Sequence, residues 1–310
     1  MKNNGMEALR GHRIGVLAGG PSSERDISLK SARAVFGAFQ ELGLNTVLIE
    51  VEKNGSIRDE EISGVTVAFI AMHGKYGEDG TVQSILEGKG IPYSGSGPEA
   101  SRIAFDKIET KKRLHSAGIK IPEYEIVRSE EHIVSGEIGF PCVIKPAKEG
   151  SSIGLSFVPS EEGLKEAVRE ALKFGPDVIA ERYISGREIT VGILDEKALP
   201  VVEIEPECGT YDFHSKYTSS RTKYIVPAGL TEEAYGMAQD AGLKAHKVLG
   251  CSGFSRVDMI ASANGDMYVL EVNTIPGLTE RSLLPMAARE EGIDFSELCV
   301  RMLLTALSAG

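Results

Sequence analysis

The sequence has no excess of positive charge. It carries 34 Lys and Arg against 45 Asp and Glu, a formal charge of −11. No basic field awaits a polyphosphate backbone, so nucleic acid is not an expected partner. A small anionic substrate remains compatible, because local Lys and Arg outvote a global charge. No apolar run approaches the roughly 20 residues that span a bilayer. The start, Met1 to Glu7, lacks the apolar core of a signal peptide. The four cysteines, Cys142, Cys208, Cys251 and Cys299, lie far apart and form no CxxC. Reduced thiols in a cytoplasmic protein are therefore expected rather than a disulfide or zinc framework. There is no GxxxxGK[ST] motif, which excludes a P-loop as the phosphate cradle. No internal repeat or low-complexity segment is present.

What is there is an ordinary globular balance, 42% apolar and 25% charged over 310 residues. At roughly 150 residues per domain, two to three domains are expected. The first segment alternates strand-like and helix-like pieces. Arg13–Ala18, Thr46–Val51 and Val65–Ile70 read as strands. A helix opened by Ser22-Ser23 runs toward Phe39, and another lies near Val82–Gly88. This is the β-α-β rhythm of a small parallel sheet, and ligands bind at the carboxyl ends of such strands. Glu24 follows the first strand there. His73-Gly74 and Gly77-Glu78-Asp79-Gly80 follow the third.

Gly95-Ser96-Gly97-Pro98 reads as a boundary turn, with one helix from Pro98 to Ala117. In the next block Pro141–Lys145 and Leu155–Val158 are strands around the loop Lys148–Gly154. Ser160 caps a helix with an apolar stripe at Leu164, Ala167, Val168, Ala171 and Leu172, and Val178–Tyr183 is another strand. The third block opens with strand Glu188–Leu194 and holds a long polar stretch, Cys208–Tyr224, which reads as a functional loop. A helix capped by Thr231 runs to about Leu249. A hairpin and a final helical stretch follow. The expected division is 1–97, 98–185 and 186–310. The fold class is α/β in the first part, with a small parallel sheet and flanking helices, and α+β in the two that follow.

The hairpin Ser255–Ile260, Asn264-Gly265, Met267–Asn273 carries the most chemistry. A two-residue Asn-Gly loop pairs positions summing to 529. Asp258 then faces Glu271 and Arg256 faces Asn273, all on one side of the pleat. The opposite face pairs Val257 with Val272 and Met259 with Leu270. Carboxylates opposed at about 5 Å repel. Two readings follow. Asp258, Glu271 and Asn273 are hard oxygen ligands for Mg²⁺, which removes the repulsion; or the face is solvated, with Arg256 neutralising one carboxylate. The loop Gly150–Gly154 likewise either lays its amides over phosphates, with Lys145 reaching the same charge, or is a plain hairpin turn.

In order along the chain, Leu17–Arg25, His73-Gly74 with Gly77–Gly80, Lys145-Pro146 with Glu149–Ser152, Tyr211-Asp212 with Lys216-Tyr217, Glu271–Gly277 and Ser282–Arg289 resemble a D-alanine–D-alanine ligase of the ATP-grasp superfamily. The resemblance covers almost the whole chain and implies an N-terminal domain followed by two ATP-grasp subdomains. It also implies the ATP-dependent ligation of two D-alanine molecules through an acyl phosphate, for peptidoglycan synthesis. Two Mg²⁺ ions, replaceable by Mn²⁺, would sit on Asp258, Glu271 and Asn273. Glu24 would meet the first alanine's ammonium, bridged by Ser151 and Tyr217, with His73 beside that substrate's carboxyl group. Lys107 and Lys145 would hold ATP phosphates and Lys216 the transferred phosphoryl group. Glu181, Tyr183 and Ile184 would take the adenine and Glu188 the ribose. Arg256 and the Gly277 N–H would stabilise the tetrahedral oxyanion, and Ser282 and Leu283 would bind the second carboxylate. The resemblance further implies a homodimer and a closing loop, for which Cys208–Tyr224 is the candidate. Tyr217 points to a dipeptide product rather than the D-alanyl-D-lactate ester, although D-lactate or D-serine as second substrate, and a non-catalytic nucleotide-binding regulator, are alternatives.

Overall fold

A computed structural model describes residues 2–205 and 222–308. Helix α1 (Lys2–Leu9) leads into strand β1 (Ile14–Gly19), α2 (Arg25–Glu41), β2 (Thr46–Val51), the short α3 (Asp59–Ile62), β3 (Val67–Ile70) and α4 (Thr81–Gly88). The three strands form a parallel sheet in the order β2-β1-β3. Every residue of β1 is buried, the mark of a strand covered on both faces. Ile14, Val16 and Ala18 face one core with Val35 and Phe39 of α2, while Leu17 faces another with Val82 and Leu86 of α4. The loops at the carboxyl ends of β1 and β3 thus come together, with Glu24 at the N-cap of α2. Ser22 does not cap that helix; its Oγ accepts from the Glu24 N–H at 3.1 Å and shapes the turn before it.

The expected helix from Pro98 to Ala117 is broken. Helix α5 (Pro98–Phe105) stops at Asp106, which leaves the helical region at ψ 101° and caps α6 (Lys107–Ser116). Its carboxylate accepts from Ile108 N and Glu109 N at 3.0 and 3.3 Å. An aspartate that satisfies two amides of a new helix offsets the interruption. The break also starts a new helix at Lys107.

Strands β4 (Tyr124–Val127), β5 (Cys142–Pro146), β6 (Ser156–Val158) and β7 (Val178–Arg182) make an antiparallel sheet in the order β4-β7-β5-β6. It is backed by α7 (Leu164–Leu172), whose Leu164, Ala167, Val168 and Ala171 are buried. A 3₁₀ turn, Glu161–Gly163, precedes α7, and Ser160 makes no side-chain cap. The third sheet runs β11 (Lys223–Ile225), β10 (Val202–Glu205), β8 (Gly186–Leu194), β12 (Phe254–Ser262) and β13 (Met267–Asn273), with β9 (Lys197–Ala198) beside β8. Helix α8 (Glu232–Val248), capped by Thr231 through Ala234 N at 3.3 Å, covers one face of it. Helices α9 (Leu283–Glu290) and α10 (Phe295–Ser308) close the chain. Leu298, Met302 and Leu303 of α10 share a core with β1, β3 and α2, so the end of the chain packs on its first sheet. Among the described residues no helix is long and apolar enough to cross a membrane.

Candidate active site

The β12–β13 hairpin confirms one half of its expected register and revises the other. Asp258 pairs with Glu271, Val257 with Val272 and Arg256 with Asn273. Beyond Asp258 the pairing shifts, so Met259 faces Val269 rather than Leu270. The cause lies at the turn. Ala263-Asn264-Gly265 is a three-residue loop, closed by Gly265 N–H to Ser262 O at 3.0 Å, with Gly265 at φ +88°. The extra loop residue displaces the register by one, and a bulge at Leu270 restores it before the acidic pair. Met259, Val269, Val257 and Val272 remain on the core face. Leu270 instead lines a cavity together with Asp258, Ile260 and Glu271.

The carboxylates are not left to repel. Arg256 donates from Nε to Asp258 Oδ1 at 2.8 Å and from Nη2 to Oδ2 at 2.7 Å. Thr190 Oγ1 donates to the same Oδ1 at 2.6 Å, and Asn273 Nδ2 to Oδ2 at 3.1 Å. Lys107 Nζ lies 3.3 Å from Glu271 Oε2 and donates to Glu149 O at 2.6 Å. Of the two readings of this face, neutralisation by Arg256 is present, with Lys107 beside the second carboxylate, but the face is not simply solvated, since Asp258 is buried. The donor set still suits Mg²⁺. Two carboxylates from facing strands and an amide carbonyl next to them are hard oxygen ligands on one face of a rigid ladder.

That face forms one wall of a cavity of about 730 Å³. Lys107, Lys145, Glu181, Tyr183, Ile184, Glu188, Asp258 and Glu271 all line it, so six expected nucleotide residues and two expected metal ligands meet around one space. Tyr183 stacks edge-on to Phe157, ring centroids 5.0 Å apart, both lining the cavity and both exposed. Glu181 is buried, its Oε1 2.9 Å from Lys145 Nζ and 2.8 Å from Lys111 Nζ. Burial pushes its pKa up, but the two lysines outweigh this and hold it below the ordinary value.

The substrate side is built across chain segments. Ser151 donates its hydroxyl to Glu24 Oε1, tying the loop after β5 to the N-cap of α2. Ser151 and Ser152 both sit in the left-handed region, at φ 51° and 57°, a backbone that a loop holds only when its surroundings impose it. Gly150 lets the loop come close to the same carboxylate: a Cβ there would lie 2.5 Å from Glu24 Oε2 and push that side chain aside. His73 is buried and lines neither this cavity nor the small pocket beside it. Its Nε2 contacts Ser31 Oγ at 2.8 Å and its Nδ1 the Ile275 carbonyl at 3.1 Å. Burial lowers its pKa, but Glu78, with Nδ1 3.7 Å from Oε1, then Glu24 and the Ile275 carbonyl together raise it overall. Glu78 itself is raised, by burial first and by the Glu24 charge.

Ser282 is the N-cap residue of α9, its Oγ accepting from Thr279 N at 3.0 Å, and Leu283 is the first helical residue. Gly277 packs against it; a Cβ there would come 2.9 Å from Ser282 Oγ. A helix N-terminus of this kind favours a carboxylate. Tyr211, Asp212, Lys216, Tyr217 and most of the Cys208–Tyr224 loop lie outside the described residues. Two residues went unassigned in the sequence. Glu78 lines the small pocket with Lys107, Glu149, Gly150, Glu271 and Asn273. Lys111 lies one helical turn after Lys107, a spacing that could have revealed it.

The chain is similar to known proteins over nearly all of its length. The families described as D-ala D-ala ligase N-terminus and D-ala D-ala ligase C-terminus match residues 55–96 and 114–304. The D-alanine--D-alanine ligase of Syntrophotalea carbinolica is 44% identical over 300 residues, covering 97% of this chain and 98% of that protein. That of Geobacter sulfurreducens is 44% identical over 304 residues, covering 97% and 96%. The crystal structure of the Bacillus anthracis D-alanine--D-alanine ligase complexed with ATP superposes with a TM-score of 0.83 at 34% identity, covering 96% of this chain and 98% of that one.

Proposed function

The chain belongs to the D-alanine–D-alanine ligase family and joins two D-alanine molecules at the expense of ATP for peptidoglycan synthesis, and from that premise we propose how its own residues carry out the reaction. The observation that carries the assignment is the cavity on which Lys107, Lys145, Glu181, Tyr183, Ile184, Glu188, Asp258 and Glu271 converge. ATP lies there, its adenine against Tyr183 and Ile184, its ribose near Glu188 and its phosphates on Lys107 and Lys145. Lys216, from the segment Cys208–Tyr224, is proposed to meet the transferred phosphoryl group.

A carboxylate is a poor acyl donor, and phosphorylation gives it a leaving group. Glu24, oriented by Ser151, pairs with the ammonium of the first D-alanine and turns its carboxylate toward the γ-phosphate. Tyr217 completes that bridge, and His73, fixed by Ser31 and Ile275, braces the wall beside the carboxyl group. The second D-alanine places its carboxylate on Ser282 and the Leu283 N–H, and its amine attacks the acyl phosphate. Arg256 and the Gly277 N–H stabilise the tetrahedral oxyanion, a contribution of roughly 3–4 kcal/mol per donor. Asp258, Glu271 and Asn273 would hold Mg²⁺, two ions with Mn²⁺ as a substitute, which would screen the phosphate charge. The acyl phosphate must be kept from water, the role proposed for the segment Cys208–Tyr224.

A division into 1–97, 98–185 and 186–310 is part of the proposal, supported by one sheet lying in each part, although α10 packs back on the first sheet. A cytoplasmic homodimer is the setting family membership supports, and sedimentation of the purified protein tests the assembly. Phosphate release with ATP, Mg²⁺ and D-alanine, with mass detection of D-alanyl-D-alanine, tests the whole reading. Release at background would overturn it, and an ester or D-serine product would redirect it to another second substrate.

A further inference from the structure

Lys111 is among the largest side chains in the molecule with no exposure to solvent. It lies on α6, and its Nζ stands 2.8 Å from Glu181 Oε1 and 5.4 Å above the ring of Tyr124. Lys145 Nζ reaches the same oxygen, at 2.9 Å, from β5. Two ammonium groups thus share one carboxylate oxygen, in close ion pairs that lack the angles of a hydrogen bond. One negative charge cannot balance two positive ones. A buried cluster left with surplus charge is costly unless it sheds a proton or an anion completes it. Only one of the two lysines can meet that anion: Lys145 lines the large cavity, and Lys111 does not.

We propose that Lys111 is a positioning residue for the nucleotide: it keeps the Glu181 carboxylate paired while Lys145 turns from that carboxylate to the phosphates of ATP. The proposal rests on the reading of Lys145 and Glu181 given above. Its logic is one of replacement. Glu181 is only 3% exposed, so an anionic form with no cation beside it is strongly disfavoured. If Lys145 were the sole counter-ion, every nucleotide that drew it away would strand that charge. With Lys111 behind it, the carboxylate keeps a partner throughout, and Lys145 is held in place for phosphate without being locked to protein. The crowding at Lys111 follows from that geometry. Burial pulls its pKa down to about 8 against the pull of Glu181, and the charges of Lys145 and Lys107 add to the lowering.

The test is binding of a non-hydrolysable ATP analogue with Mg²⁺ to the full-length enzyme, by calorimetry, alongside steady-state kinetics. The variants are Lys145→Ala, Lys111→Met, Glu181→Gln and the double variant Lys111→Met with Glu181→Gln. Lys111→Met should weaken analogue binding at least tenfold and raise KM for ATP, with KM for D-alanine changed less than twofold. The double variant should bind more tightly than Lys111→Met, because a neutral amide no longer holds Lys145 back. A lysine that only fills space predicts no such recovery. If Lys111→Met does not fold, the double variant is compared with Glu181→Gln alone; equal affinities within about twofold support the proposal, and a further loss in the double overturns it. Unchanged affinity in Lys111→Met also overturns it. Unchanged affinity in Lys145→Ala would instead overturn the nucleotide reading of Lys145 itself.

Discussion

Arg256 and Asp258 stand two residues apart on β12 and form a two-point ion pair, 2.8 and 2.7 Å long, on the face that also carries Glu271 and Asn273. The alternation of a strand puts both side chains on one side, and the planar guanidinium spans the gap. The residue assigned to the oxyanion is thus oriented by a residue assigned to the metal. Lysine has a single point charge and cannot reproduce that fork. Arg256→Lys should lower kcat about 100-fold or more while KM for ATP moves little, as steady-state kinetics with varied ATP will show.

Glu271 faces Asp258 across the hairpin and is paired with Lys107 at 3.3 Å. Glu271→Gln keeps the shape and removes the charge. The Mg²⁺ concentration giving half-maximal turnover should rise about tenfold or more, equivalent to ~1.4 kcal/mol of lost affinity. A magnesium titration of initial rates measures this, and an unshifted curve would remove Glu271 from the metal site.

Leu270 is turned by the bulge into the cavity proposed to hold the nucleotide. A leucine covered by a ligand is worth roughly 1.5–3 kcal/mol. Leu270→Ala should therefore raise KM for ATP by about one to two orders of magnitude and leave KM for D-alanine unchanged. A large effect on D-alanine would place this side chain elsewhere in the reaction.

The pH dependence of stability should report Lys111, which is faced by Glu181, Lys145, Lys107 and the Tyr124 ring. Its folded-state pKa of about 8 lies below its ordinary value of 10.5. Between those values the unfolded chain binds more protons at this site, so stability from this group rises with pH across that window. Below about pH 8 the cost of burying the charged amine is fully present. The denaturation midpoint of the wild type relative to Lys111→Met should accordingly move upward from pH 7.5 to pH 10. A constant difference would show that Lys111 titrates normally.

Tyr217 carries the expectation of a dipeptide product. Tyr217→Phe should shift the product mixture toward D-alanyl-D-lactate when D-alanine and D-lactate compete, more so at lower pH where the attacking amine is protonated. Mass detection of both products across pH decides it.

What the sequence by itself determined was local. Strand β1 is a run of apolar residues and the stripe of α7 follows the helical period; each depends only on neighbours along the chain, whereas Asp258 meets Glu271 only because the bulge at Leu270 cancels the extra loop residue. The ordered motifs identified the chemistry for the same reason, since each is a short segment with its own function. Tertiary structure decided the rest. Asp106 breaks a helix because its carboxylate has two amides to cap. Leu270 leaves the core because a three-residue loop displaced the register. Lys111 finds Glu181, and Ser151 finds Glu24, across gaps of 70 and 127 positions, which no spacing rule can anticipate. Strand β4 and helix α1 went unread because they are short and find their places only against β7 and α10. Charges that meet only after folding are selected by the desolvation cost of leaving either one alone, and that cost exists only once there is an interior.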